Sequence, residues 1–197
     1  YWHFFKLINI YPMSKNLKLS VVIPTLDRPD DLVEAVRSIL DQSLLPFELI
    51  IVDQSVDSKS YNNIKVLFSK LNPQTKLIYI HDSSIDGLVS AKNHGVKISS
   101  GDIISFLEDD EILSKNYLKN TIEVFDENEI ILGCSGVVSN IRRSFLYEIM
   151  FKLFHRGIFL DQRVDVVRHK DCNGKGQLII SSHISGGLSS YRKEVFK

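Results

Sequence analysis

An unbroken run of acidic residues is the feature of this sequence best suited to chemistry. The run from Glu108 to Glu111 (EDDE) directly follows Asp102 to Leu107 (DIISFL), which has the composition of a buried strand. Neighbouring carboxylates repel one another, and a divalent cation relieves that repulsion. Mg²⁺ and Mn²⁺ prefer oxygen ligands and are often shared with substrate phosphates. The run therefore predicts a hard-cation site, with a solvated turn as the alternative.

Two other apolar stretches also end in polar residues. Leu19 to Pro24 (LSVVIP) is followed by Thr25 to Arg28, and Glu48 to Asp53 (ELIIVD) is followed by Gln54 and Ser55. Continuous apolar, β-branched runs are typical of strands that are buried on both faces of a parallel sheet. Ligands of such sheets bind beyond the carboxyl ends of the strands. We therefore expect the three polar segments to meet at one crevice.

The remaining elements are predicted from the spacing of the apolar residues. Helices are expected over 29–42, 58–71 and 88–99, the last ended by Gly101, and strands over 76–80 and 130–138. Ser114 is predicted to cap a further helix that carries Phe125. Strands and helices thus alternate, which predicts an α/β fold with a mainly parallel sheet flanked by helices.

The bulk composition argues against several classes of protein. Lys plus Arg and Asp plus Glu both number 24, and no basic run is interleaved with aromatic residues, so nucleic acid is not an expected partner. The two cysteines are far apart in sequence, which favours a reducing, cytoplasmic location. No apolar run reaches the length of about 18–20 residues that spanning a bilayer requires.

Two segments receive separate interpretations. Residues 1–12 lack the basic region and cleavage site of a signal peptide. Because the natural start is expected at Met13, they are interpreted as a non-native or upstream extension of the expected domain, 13–197. Residues 141–160 predict a basic amphipathic helix. Its apolar face either covers the sheet or contacts a membrane surface or lipid acceptor, which would put the protein at the inner face of the membrane.

Taken together, three segments resemble family 2 glycosyltransferases of the GT-A fold. They are VVIPTLDR, ELIIVDQS and GLVSAKNHGVKISSGDIISFLEDDEIL. In that family the first strand ends in Pro-Thr, the second ends in an Asp-rich turn, and an A-R-N-x-G helix precedes a DxD-like carboxylate cluster. The resemblance covers residues 18–140, the nucleotide-sugar-binding part, with a weaker echo at 185–196, so 141–197 would begin the acceptor part.

The resemblance implies a Rossmann-like GT-A fold and a reaction. A sugar would be transferred, with inversion, from a nucleoside-diphosphate donor to a polysaccharide, glycolipid or glycoprotein acceptor. A divalent cation, Mn²⁺ or Mg²⁺, would assist. UDP is the expected donor nucleotide, and dTDP and GDP forms share these motifs.

Residue roles are carried over by position. Asp53 would hydrogen-bond the base, Asp109 would face the donor sugar or ribose, and Asp110 would be the direct metal ligand with Glu108 beside it. The implied donor-binding residues are Pro24, Thr25, Arg28, Asp53, Gln54, Ser55, Gly87, Lys92, Asn93, Glu108 and Asp109.

The chain departs from the family pattern at two positions. Lys92 replaces the usual arginine, and a lysine reaches a diphosphate as a point charge, without a bidentate fork. Glu108 stands where family members usually have aspartate. Gly95 matches the family motif and is also interpreted as a place where the helix packs tightly on the sheet.

The catalytic base and two alternative functions remain open. Residues 185–196 resemble the segment that precedes the family's base, so the base is expected beyond Lys197, and Asp161, Asp165 and Asp171 match no motif. One alternative is a non-catalytic or truncated nucleotide-sugar-binding domain. The other is a receiver-like signalling domain with Asp53 as phospho-acceptor, which predicts acidic residues where the first strand ends in Pro24 and Thr25.

Overall fold

A computed structural model describes residues 16–71, 73–136 and 186–197 as one mixed sheet flanked by helices. In chain order the elements are β1 (Leu19–Thr25), α1 (Pro29–Leu40), β2 (Glu48–Asp53), α2 (Lys59–Leu71), β3 (Lys76–His81), α3 (Gly87–Ile98), β4 (Ile103–Phe106), α4 (Tyr117–Glu127), β5 (Gly133–Ser135) and β6 (Ser189–Arg192), followed by a 3₁₀ helix, Lys193–Phe196. The strand order is β3-β2-β1-β4-β6-β5. β1 to β4 pair in parallel, and β6 is antiparallel to both of its neighbours. The predicted mainly parallel α/β fold is confirmed.

Strand residues alternate between two apolar layers. Val21 and Ile23 of β1 face a core shared with α1, α2 and α4, whereas Val22 faces Ala91 of α3. All seven residues of β1 and all six of β2 are buried. Burial on both faces explains why 21–23 of β1 and 49–52 of β2 are continuously apolar, with no alternation of polar residues.

The strand register brings the polar strand ends to one edge of the sheet. Thr25 pairs with Asp53 across β1 and β2, and Asp53 pairs with His81 of β3. β4 pairs Phe106 with Val22, so the acidic run that follows β4 continues toward the end of β1. The predicted convergence of the three polar segments is thereby confirmed.

The predicted end of α3 is confirmed within one residue, since the helix ends at Ile98, before Gly101. Gly101 lies so close to β1 that a Cβ there would meet the Lys18 carbonyl oxygen at 2.7 Å. The predicted bounds of two other elements were wrong. α4 begins after Asn116, and the Ser114 side chain does not cap it. The Gln42 side-chain oxygen instead accepts the Leu118 N–H at 3.1 Å, so the acceptor comes from a distant segment. β5 is shorter than the predicted strand over 130–138.

Several predictions concern residues outside the described ranges. They are the extension 1–12, the amphipathic segment 141–160 and the three aspartates of the 161–171 region. Within the ranges that are described, no helix is long and apolar enough to cross a membrane.

Gly95 is the position at which α3 approaches β1 most tightly. A Cβ on Gly95 would lie 2.3 Å from Val22 Cγ1, inside a fully buried layer. This contact confirms the packing interpretation of Gly95.

We predict that Gly95→Ala destabilises the protein. Overpacking a core costs about 1–3 kcal/mol, whereas alanine in place of a helical glycine contributes about 1 kcal/mol of helix propensity. The expected net loss in the free energy of unfolding is up to about 2 kcal/mol, measured by urea denaturation. Ser90→Ala, at an exposed position of the same helix, is the matched control and should change little. A gain of stability in Gly95→Ala would contradict the tight helix–sheet contact.

Candidate functional site

The acidic loop after β4 is joined to the loop after β1 through Asp109. The Thr25 hydroxyl donates a hydrogen bond to Asp109 Oδ2 at 2.8 Å, and Arg28 Nη1 lies 3.2 Å from Asp109 Oδ1. Asp109 is 6% exposed. A carboxylate withdrawn from water is tolerated only when it is paired and hydrogen-bonded, and these two donors supply both conditions.

Arg28 also contacts the neighbouring carboxylate. Its Nη1 lies 3.2 Å from Asp110 Oδ2, and both side chains are about half exposed, 52% and 53%. The nearby charge of Asp109, with a smaller contribution from Asp110, raises the pKa of Arg28 above its ordinary value. Arg28 thus bridges the two aspartates of the run.

The two glutamates of the run face the C-terminal segment. A Cβ on Gly187 would lie 3.0 Å from Glu111 Oε1 and 3.3 Å from Glu108 Oε1. Glu111 Oε2 accepts the Glu108 N–H at 2.9 Å. Burial, followed by the charges of Glu108 and Asp110, raises the pKa of Glu111. The carboxylates of Glu108, Asp110 and Glu111 thus repel one another, and a cation would relieve that repulsion.

The end of β2 is built around the carboxylate of Asp53. Asp53 is fully buried; its Oδ1 accepts the Ser55 N–H at 2.9 Å, and its Oδ2 accepts the Tyr79 hydroxyl at 2.6 Å. Burial and the hydrogen bond to Asp53 raise the pKa of Tyr79, so the phenol remains a donor at ordinary pH. Contact between Asp53 and a nucleotide base requires the residues that cover it to move.

Main-chain bonds tie the loop after β2 to the loop after β1. The Gln54 N–H donates to the Thr25 carbonyl at 2.9 Å, and the Asp27 N–H donates to the Ser55 hydroxyl at 2.8 Å. Asp27 has φ of +55°, a conformation that is uncommon for a residue other than glycine and that Asp tolerates better than most. This turn sets the direction in which Arg28 leaves β1.

α3 contributes the remaining predicted residues. Lys92 Nζ donates to the Gly186 carbonyl at 2.7 Å and lies 5.6 Å from the centre of the Phe106 ring. Gln54 Nε2 donates to the Ile85 carbonyl at 2.6 Å, just before Gly87, whose φ of +81° starts the helix. Asn93 is exposed on the same helix. Lys92 therefore links the helix to the C-terminal segment.

The carboxylates of the acidic run are the kind of oxygen donor that a hard cation such as Mg²⁺ prefers. Among residues 16–71, 73–136 and 186–197, no group of three or more His, Cys, Asp or Glu side chains is arranged to hold a metal ion. Mg²⁺ sites commonly use one or two carboxylates, with substrate phosphates and water as the other ligands. Asp110 and Glu108 offer such oxygen donors.

Comparison with known proteins identifies the family. Residues 20–197 match the model of glycosyl transferase family 2. The chain belongs to this family. Membership of this family excludes the receiver-like alternative.

One similar protein is the uncharacterized glycosyltransferase YwdF of Bacillus subtilis. It is 29% identical over 150 residues, which cover 75% of this chain and 54% of YwdF. The chain thus spans about half the length of this relative. Other relatives are named as putative glycosyltransferases of colanic acid biosynthesis in Escherichia coli and of teichuronic acid biosynthesis in Bacillus subtilis.

Solved structures share the fold. The mannosyltransferase PcManGT of Pyrobaculum calidifontis, in complex with GDP-Man and Mn²⁺, superposes with a TM-score of 0.55 at 19% identity, covering 61% of this chain and 35% of PcManGT. S. aureus TarS 1-349 in complex with UDP-GlcNAc gives a TM-score of 0.50 at 21% identity, covering 65% of this chain and 37% of TarS 1-349. The predicted GT-A glycosyltransferase fold is confirmed.

Sequence reasoning gives no role to two residues of the candidate site. Tyr79 lies inside a predicted strand, and Asp27 stands among the polar residues after the first strand without a function of its own. Tyr79 pairs with Ile51 in the register of β2 and β3, and its hydroxyl reaches Asp53, two residues further along β2. The signal for Asp27 was its residue type, since Asp is enriched at positive φ.

We predict that Tyr79→Phe destabilises the protein because it leaves a buried carboxylate oxygen without its donor. Such a group costs about 1–3 kcal/mol, which should appear in the free energy of unfolding. Tyr61→Phe is the matched control. Tyr61 packs edge-on against Tyr79, with 5.1 Å between the ring centroids, and is 38% exposed. Equal losses in the two variants, measured by denaturant unfolding, would contradict the role of the Tyr79–Asp53 bond.

Proposed function

We propose that this chain carries the donor site of a metal-dependent, inverting glycosyltransferase that uses a nucleoside-diphosphate sugar, with UDP as the nucleotide. The observation that carries the proposal is the junction at Asp109, where Thr25 and Arg28 hold an acidic loop against the end of β1. In an open α/β sheet this edge is where ligands bind. Family membership supplies the reaction class.

The nucleotide would lie along the ends of β1 and β2. Thr25, Gln54 and Ser55 are already linked there through the Gln54 and Asp27 N–H groups, so the loops are preorganised and lose little freedom on binding. Asp53 would hydrogen-bond the base once the residues around it move to expose its carboxylate. Pro24 shapes the end of β1, where it pairs with Val52. Arg28 and Lys92 supply positive charge for the diphosphate.

Asp110 and Glu108 would hold the divalent cation. Asp109 is a poorer candidate because the Thr25 hydroxyl and Arg28 already occupy its two oxygens, whereas Asp110 is half exposed and shares only Arg28. When bound, a cation of this kind stabilises the charge that develops on the departing diphosphate. Repulsion of the Glu111 carboxylate by the charges of Glu108 and Asp110 supports the attraction of a cation to this loop.

The acceptor and the catalytic base are proposed on separate grounds. We propose that the base, which takes the proton of the acceptor hydroxyl, lies outside the described residues. The names of the colanic acid and teichuronic acid relatives support a growing glycan or lipid-linked sugar as acceptor. The basic, apolar composition of 141–160 supports peripheral contact with the inner face of the membrane.

We predict metal-dependent binding of one nucleotide, measured by calorimetric titration with UDP, dTDP and GDP, each with Mn²⁺ and again with EDTA. Outer-shell partners of metal ligands cost about 10–100-fold in affinity when mutated, and a direct ligand should cost at least as much. Asp110→Asn should therefore weaken UDP binding in Mn²⁺ by that factor or more.

The matched control is Asp41→Asn, an exposed aspartate at the end of α1 that pairs with Lys115. It should bind UDP as the unaltered chain does. The proposal fails if no nucleotide binds, if EDTA has no effect, or if Asp110→Asn binds as tightly as the control.

A further inference from the structure

The Arg28 guanidinium lies against Asp109 and Asp110 of the acidic loop, where the proposed divalent cation would also bind. We propose, on the basis of the donor site proposed above, that Arg28 is an internal counter-ion that occupies the acidic loop until a divalent cation replaces it. On replacement, its guanidinium is released from Asp110 to the donor diphosphate. Arg28 is thus a positioning residue that competes with the metal when the donor is absent and cooperates with it when the donor is bound.

One nitrogen atom of Arg28 serves both aspartates. Nη1 lies 3.2 Å from Asp109 Oδ1 and 3.2 Å from Asp110 Oδ2, so a single unit charge is divided between two carboxylates. Glu108 and Glu111 belong to the same run of four acidic residues, and oxygens of both lie together against Gly187. Because the loop keeps an excess of negative charge, a divalent ion neutralises it more completely than Arg28 does.

The two contacts of Arg28 differ in strength. Asp109 is buried and receives the Thr25 hydroxyl as well, so its contact with Arg28 is held in place by its surroundings. The contact between Arg28 and Asp110 is half exposed on both sides. Exposed ion pairs contribute little to stability, so Asp110 is the contact that Arg28 can give up at small cost.

The main chain of Arg28 is fixed, whereas its side chain can turn. Asp27, at φ of +55°, is held by Ser55 on one side, and Pro29 begins α1 on the other. The Arg28 carbonyl also accepts the Leu32 N–H at 3.1 Å. The Arg28 guanidinium can therefore exchange Asp110 for another partner by rotation of its side chain, while the main chain of Arg28 stays in place.

The guanidinium has donors to spare for a diphosphate. The described contacts with the acidic loop use only Nη1, and a guanidinium carries five N–H donors in a planar fork. That fork suits paired phosphate oxygens, whereas Lys92 provides only a point charge. Removal of the Arg28 charge should therefore affect metal binding and nucleotide binding in opposite directions.

The test measures Mn²⁺ alone, by electron paramagnetic resonance of the free ion, and UDP in saturating Mn²⁺, by calorimetry. Arg28→Gln should bind Mn²⁺ roughly two- to fivefold more tightly than the unaltered chain, the range expected when an exposed ion-pair competitor is removed. It should bind UDP roughly tenfold more weakly. The double variant Arg28→Gln, Asp110→Asn should lose the gain in Mn²⁺ affinity.

Arg37→Gln is the control. Arg37 is exposed on α1, the helix that begins directly after Arg28, and it pairs only with Glu34 among the described residues. It should change neither affinity. A misfolded Arg28→Gln would weaken both ligands, so opposite signs support the inference. Unchanged or weaker Mn²⁺ binding in Arg28→Gln, or unchanged or tighter UDP binding, overturns the inference about Arg28. In that case, metal-dependent UDP binding by the unaltered chain would still support the proposed function. Absence of UDP binding in the unaltered chain overturns both.

Discussion

Burial of the Asp109 carboxylate is the constraint on which the site depends. A carboxylate that is 6% exposed persists only with close donors, and its donors come from the other side of the crevice, from Thr25 and Arg28. Because the pairing joins residues more than 80 positions apart, it holds the acidic loop in one place against β1. The position of the Arg28 guanidinium follows from that placement, and so do the positions proposed for the metal and the donor.

The C-terminal segment completes this arrangement. β6 lies between β4 and β5, and Arg192 donates to the carbonyls of Phe125 and Ile131, which ties the segment to the end of α4. At its other end Gly186 accepts from Lys92, and Gly187 lies against Glu108 and Glu111. The segment that resembles the one before the family's catalytic base thus borders the acidic loop.

The sequence predicted the architecture because its strands are apolar on both faces. VVIP and LIIV allow no half-exposed strand, and the polar residues after them had to meet at one edge. What the sequence could not predict depends on register and distant contacts. The partner of Asp53 is one strand away, the cap of α4 is Gln42, and β5 pairs with a strand more than 50 residues later. No local pattern encodes these pairs.

The central claim, that three strand ends form one metal-dependent donor site, is tested most directly by hydrogen–deuterium exchange of the chain with and without UDP and Mn²⁺. The account predicts slower exchange at the amides of 25–28, 53–57 and 108–111 together, with the effect lost in EDTA. Slower exchange in only one of these segments, or protection confined to another part of the sheet, would contradict a single shared site.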